Sequence, residues 1–144
     1  MKKITIACVL FLLGACETQS VKENHSNLTG IVIFPEATSY AIINVSESGD
    51  LEVLQSSETP EVEAISFKLS PLGENGMMLS AKNSSMRTIK YDIYMIDPRG
   101  GKHYTNSCPL NPGSSMFESW VHRIPSLLVT NFRDVSNSKN LVCE

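Results

Sequence analysis

The sequence predicts an all-β domain: a small antiparallel β-sandwich of about seven strands, with one short helix and one disulfide. Three observations carry that expectation. Apolar and polar residues alternate along several short runs, which is the period of a half-buried strand. Clusters of Gly, Pro, Asn, Asp and Ser separate those runs at short intervals. The chain has 144 residues, 42% of them hydrophobic and 19% charged, enough to bury one core and too few for two.

The first strand is expected at Thr29 to Phe34, a run rich in Ile and Val that Pro35 ends. A second runs from Ser39 to Ser46, and Glu47-Ser48-Gly49-Asp50 turns it into Leu51 to Gln55 as a hairpin. Gln55 to Pro60 reads as a loop. Ile65, Phe67 and Leu69 then alternate with Ser66 and Lys68, and after the turn at Pro71 to Gly76, Met77, Leu79 and Ala81 alternate with Met78, Ser80 and Lys82. The clearest strand is Thr88 to Ile96, with Ile89, Tyr91, Ile93 and Met95 sharing one face. Asp97-Pro98-Arg99-Gly100-Gly101 turns the chain toward Lys102 to Thr105; Leu127 to Arg133 is a late strand and Leu141 to Cys143 a last short one. The helical signal is Ser115-Met116-Phe117-Glu118, which fits a capping box, with Met116/Trp120 and Phe117/Val121 four apart and Pro125 as the stop.

Twelve basic residues against fifteen acidic ones argue against a nucleic-acid partner, which calls for a basic excess. No G-x-S-x-G elbow, phosphate-cradling glycine loop or H-E-x-x-H motif occurs, and the three histidines are scattered, so the reading is non-enzymatic, without cofactor or metal. Asp92 and Asp97 fall on opposite faces by parity and do not make an acid/base pair.

The N-terminus is an address. Lys2 and Lys3 precede an apolar run from Ile4 to Leu13, the size of a signal-peptide core and too short to span a bilayer. It ends in Leu13-Gly14-Ala15-Cys16, which resembles the lipobox of bacterial lipoproteins. The resemblance implies that residues 1–15 are removed and that Cys16 carries the lipid. Residues 16–27 then form a polar tether, and residues 28–144 hold the sandwich. Removing the signal takes away two lysines and no acid, so the mature chain is more acidic than the whole. Such a protein is lipid-anchored in the bacterial envelope and faces the periplasm. Glu17 is a weak form of the acidic signal for inner-membrane retention, which leaves the outer membrane as the expected location.

With Cys8 in the signal and Cys16 lipidated, Cys108 and Cys143 remain as an even pair in an oxidising compartment, where a disulfide is the default. The alternative is a metal set of Cys108, Cys143, His103 and His122, which no ligand spacing supports. Met77 and Met95 lie at alternating apolar positions and are expected in the core rather than on copper.

Asn106 to Pro125 is the most distinctive stretch, combining three prolines, a cysteine, Phe117 and the sole Trp, Trp120. One reading makes Phe117, Trp120, His122 and Arg123 an interaction surface, since these residue types are enriched at interfaces. The other has Phe117 and Trp120 closing one end of the sandwich, the better use of a small domain's only Trp.

Between Gly30 and Ala81 the chain resembles small lipoprotein β-sandwiches of the type III secretion pilotin and YbaY-like group. The shared pattern is lipobox, tether, Gly30-Ile31-Val32, Ile42-Ile43-Asn44-Val45, Phe67-Lys68-Leu69 and Leu79-Ser80-Ala81. This implies a chaperone-like accessory that escorts or braces an envelope protein partner. An inhibitor of a lysozyme or protease, or a small-ligand binder, is the alternative, with Cys108 to Arg123 as the inserting loop.

Overall fold

Alternation of buried and exposed side chains governs the observed architecture. The computed structural model describes residues 30–48, 50–139 and 141–143, so the expected signal (1–15), Cys16 and the tether (16–27) lie outside the described residues. Among the described residues nine strands form: β1 (Gly30–Ile33), β2 (Thr38–Val45), β3 (Leu51–Ser56), β4 (Ala64–Leu72), β5 (Gly76–Asn83), β6 (Ile89–Ile96), β7 (Lys102–Thr105), β8 (Ser115–Trp120) and β9 (Ser126–Asp134). They build two antiparallel sheets, β1-β9-β6-β7 and β3-β2-β4-β5-β8, packed face to face as a sandwich. The expected β2–β3 hairpin is present, in register from Val45 opposite Leu51 to Tyr40 opposite Ser56.

The inward residues are those that the alternation picked out. Ile65, Phe67, Leu69, Met77, Leu79, Ala81, Ile89, Tyr91 and Ile93 are buried, and Met95 packs against them. The two sheets are joined by an aromatic cluster: Phe67 from one sheet meets Tyr91 and Phe132 from the other, with ring centroids 5.3 and 6.5 Å away, and Tyr91 and Phe132 lie 5.8 Å apart.

Phe132 reaches that cluster through a break in strand phase. Leu127 and Val129 point inward, so strict alternation would send Phe132 outward. The β6–β9 register slips between Lys90 and Asp92, and Asn131 takes a left-handed backbone with φ of 53°. This bulge inserts a residue into β9, and Phe132 turns inward while Arg133 is free to pair outside with Asp92. Asn is among the few side chains that tolerate this conformation.

Three expectations are corrected. Ser115 to Trp120 is strand β8, not a helix. The segment is too short to hold a helix by itself, and β5 offers it a full ladder from Lys82–Ser115 to Met77–Trp120. Glu118 reaches across to Thr105 instead of back to a helix terminus. Leu141 to Cys143 forms no strand; it is exposed, tied down by the disulfide and by Lys90 Nζ, which donates to the Val142 carbonyl at 3.2 Å. With β8 added, the strand count is nine instead of about seven.

The bulge generates a prediction. A β-branched residue resists positive φ, so Asn131→Val should lower unfolding free energy by about 1–3 kcal/mol. Asn131→Gly should cost far less. Urea denaturation of both variants checks this, and equal midpoints would show that Asn131 φ does not constrain the fold.

Candidate functional site

The segment from Thr105 to Arg123 is placed by ties to the core. Cys108 and Cys143 form the expected disulfide, closing a loop with a sequence separation of 35. Leu110 is buried and exchanges both backbone hydrogen bonds with Ile89. The fully buried Asn83 amide donates to the Leu110 and Arg87 carbonyls, at 2.8 and 2.7 Å, and its oxygen accepts from Ser85 N–H. Ser107 Oγ donates to the Tyr91 carbonyl. These bonds lay residues 106–114 across one end of the sandwich and deliver the chain to the edge of β5 as β8.

Strand β8 splits the sequence-predicted surface. Met116, Glu118 and Trp120 turn inward; Met116 and Trp120 pack against the core, and Met116 Sδ accepts the Tyr91 hydroxyl at 3.0 Å. Burial, with nearby Glu118 adding to it, pushes the Tyr91 phenol far up, so it stays a hydrogen-bond donor. Phe117 points the other way and is 70% exposed. Phe117 and Trp120 therefore do not share a face.

His122 and Arg123 are exposed in the segment between β8 and β9. They line a 190 Å³ pocket with His103 from β7 and Asp97 from the β6–β7 turn. Asp97 accepts from Arg99 and Gly101 N–H and meets His103 Nε2 at 3.1 Å. The His103 contact and then those backbone donors hold its carboxyl below the usual range. A Cβ at Gly101 would meet the Asp97 carboxylate, which would have to swing away from its backbone donors. Arg123 also donates to the Glu74 carbonyl at 2.7 Å. His103 and His122 share this pocket, but Cys108 and Cys143 are bonded to each other. Among the described residues no group of three or more His, Cys, Asp and Glu is placed to hold a metal.

Sequence reading missed the outer face of the five-stranded sheet. Register aligns Tyr40, Ser66, Lys82 and Ser115 in one row across β2, β4, β5 and β8. The adjacent row is Thr38, Lys68, Ser80 and Phe117. Together they line a 350 Å³ groove. Apart from Phe117, each residue is unremarkable in its own strand, and only the pairing assembles them.

No family model, curated protein or solved structure matches this chain.

Glu118 is the electrostatic exception at this site. Its Oε1 accepts from Thr105 Oγ1 at 2.6 Å, joining β8 to β7, while Oε2 is buried with no partner among the described residues. Burial raises its carboxyl, and the Thr105 bond offsets only part of that. The raised value means that ionisation costs the folded state more than the unfolded one. This cost is absent at low pH, where Glu118 is protonated in both states, and grows as pH climbs past the ordinary carboxylate range. Glu118→Gln should therefore raise the urea midpoint at pH 7, with the gain shrinking toward pH 4. A constant difference across that window would count against the assignment.

Proposed function

We propose that this chain is a lipid-anchored, periplasm-facing lipoprotein of the bacterial outer membrane whose sandwich binds another envelope protein, as a non-enzymatic assembly or secretion accessory of the pilotin kind. The Leu13-Gly14-Ala15-Cys16 spacing supports the anchor. The observation that carries protein binding is an open edge strand, β8, with an exposed aromatic on it.

The four sheet edges differ in how they are guarded. The free side of β1 is occupied by Gln55 from β3, whose amide donates to the Val32 carbonyl at 2.9 Å and accepts Val32 N–H at 3.1 Å. That side chain fills the place of a partner strand and also closes the β1/β3 flank. Strand β7 has four residues and carries Lys102 and His103, the short, basic design that resists pairing. Strand β8 has six residues with no Lys, Arg or Pro, and its single charge, Glu118, points inward. Phe117 beside that edge supplies the large, stiff side chain that dominates interface energetics. The inhibitor reading needs Cys108 to Arg123 to project as a loop. Residues 106–114 are strapped to Ile89 and Asn83 and continue into β8, which gives that reading less support.

Two measurements test the proposal. Palmitate should label the unmutated protein and not Cys16→Ala. A photocrosslinker on Ser119 should capture a defined envelope protein, and Phe117→Ala should weaken that association at least tenfold. Leu54→Ala, which removes an exposed apolar side chain from β3, should leave it unchanged. Unlabelled protein would remove the anchor, and equal binding by Phe117→Ala would remove β8 as the contact.

A further inference from the structure

We propose that the groove on the outer face of the five-stranded sheet is a binding site for an acidic oligosaccharide, a chain of sugars bearing carboxylate groups. It is a second site, which borders β8 and shares Phe117 with its edge but stands without the protein-binding reading.

The groove is built for anions. Lys68 on β4 and Lys82 on β5 are exposed, and neither pairs with a carboxylate among the described residues. Their register partners are Ser80 and Ser66, so the two lysines sit diagonally across adjacent strands, roughly 7–8 Å apart at the backbone. Two unneutralised ammonium groups at that spacing, on a chain of formal charge −3, mark the face for a negatively charged ligand.

The floor selects the ligand class. Beside the lysines lie hydroxyl side chains, Ser66 and Ser80 opposite them on β4 and β5 and Ser115 beyond Lys82 on β8, each able to donate and to accept. Ser66 and Ser80 stand on β4 and β5, which are interior to the sheet, so the backbone beneath them is already paired with neighbouring strands. An extended peptide gains affinity by main-chain bonds to a free edge and by apolar pockets; the free edge of β8 borders the groove, and the floor on β4 and β5 offers neither. A polyhydroxyl chain needs what is present: small two-way hydrogen-bonding groups below and aromatic faces beside it. Tyr40 and Phe117 stand on β2 and β8, at the two sides of the groove. Tyr40 is held in place by a 2.9 Å hydrogen bond between its hydroxyl and Thr59.

The shape fits an elongated occupant. The 350 Å³ groove shares Tyr40, Ser66 and Lys82 with an adjoining 210 Å³ depression that runs on to Thr59 and Pro60. The combined trough lies within the size range of small-ligand sites.

The test is an NMR titration of the ¹⁵N-labelled full-length chain with tetragalacturonate, with a neutral galactose tetramer and tetraglutamate as controls. Tetragalacturonate should give saturable shifts at Ser66, Ser80 and Ser115, and both controls should bind about tenfold more weakly or not at all. Lys68→Gln/Lys82→Gln should lose about tenfold or more in affinity, while Lys68→Arg/Lys82→Arg should retain binding. Phe117→Ala should lose several-fold. Both lysines are exposed, so an unchanged spectrum of the free variant confirms its fold. No saturable shift, shifts centred on another face, or equal binding of tetraglutamate would each overturn the proposal. Because the Gln pair leaves the β8 edge intact, it separates failure of this site from failure of the protein contact.

Discussion

Tyr91 is the node on which the rest of the molecule depends. Its ring lies in the aromatic cluster with Phe67 and Phe132, joining the two sheets. Its carbonyl accepts from Ser107 and its hydroxyl donates to Met116. One residue therefore fixes the core, the strap that follows β7 and the position of β8. Its third neighbour, Phe132, is inward only because Asn131 shifts the phase of β9. Without that shift an aromatic ring would face water and Arg133 would face the core, an exchange that costs apolar burial and strands a charge. The bulge also places the Asn131 amide against Asp92 at 2.8 Å, beside the Asp92–Arg133 pair. Partial burial alone would raise the Asp92 carboxyl, and the bonds from Arg133 and Asn131 override it to hold the group low.

The two flanks of the sandwich are closed by different chemistry. At β1/β3 a neutral amide from Gln55 crosses between sheets and satisfies both polar groups of Val32. At β7/β8 the crossing group is the Glu118 carboxyl, which is bonded through one oxygen and buried through the other. The first flank is indifferent to pH and satisfies the outer backbone groups of Val32 on β1. The second is pH-sensitive and leaves β8 open, so the weaker closure coincides with the accessible edge.

Much of the fold was legible because the core-forming runs have period two. The sets Ile65/Phe67/Leu69, Met77/Leu79/Ala81 and Ile89/Tyr91/Ile93 each specify a strand and its inward face without reference to any partner. The disulfide was legible once the signal and lipobox reading set Cys8 and Cys16 aside and left Cys108 and Cys143 as a pair. Strand β8 was not, because Ser115-Met116-Phe117-Glu118 meets a helix-capping rule and a period-two strand rule equally well. The arbiter is the open edge of β5, forty residues earlier, which no local window contains. The outer-face groove was illegible for a related reason. Its members occupy four strands, and apart from Phe117 none was marked by its own strand, which shows only polar residues and Tyr40 at outward positions. Of the residues singled out from Asn106 to Pro125, His122 and Arg123 do meet in one pocket, while Phe117 and Trp120 are separated by strand parity.

That separation has a consequence for what each aromatic does. Trp120 packs against the core, so its side chain contributes to folding and its loss would disturb fold and contact together. Phe117 contributes little buried area, since most of its surface already meets solvent. A single exposed apolar residue is ordinary in itself. Phe117, however, stands on the outward face of an edge strand and forms one wall of a groove carrying two lysines that pair with no carboxylate among the described residues. Both proposed surfaces therefore converge on a residue the fold does not need. A residue so placed can vary with the ligand while Tyr91, Phe132 and the strap beneath it stay fixed, which keeps recognition independent of the constraint that holds the sandwich together.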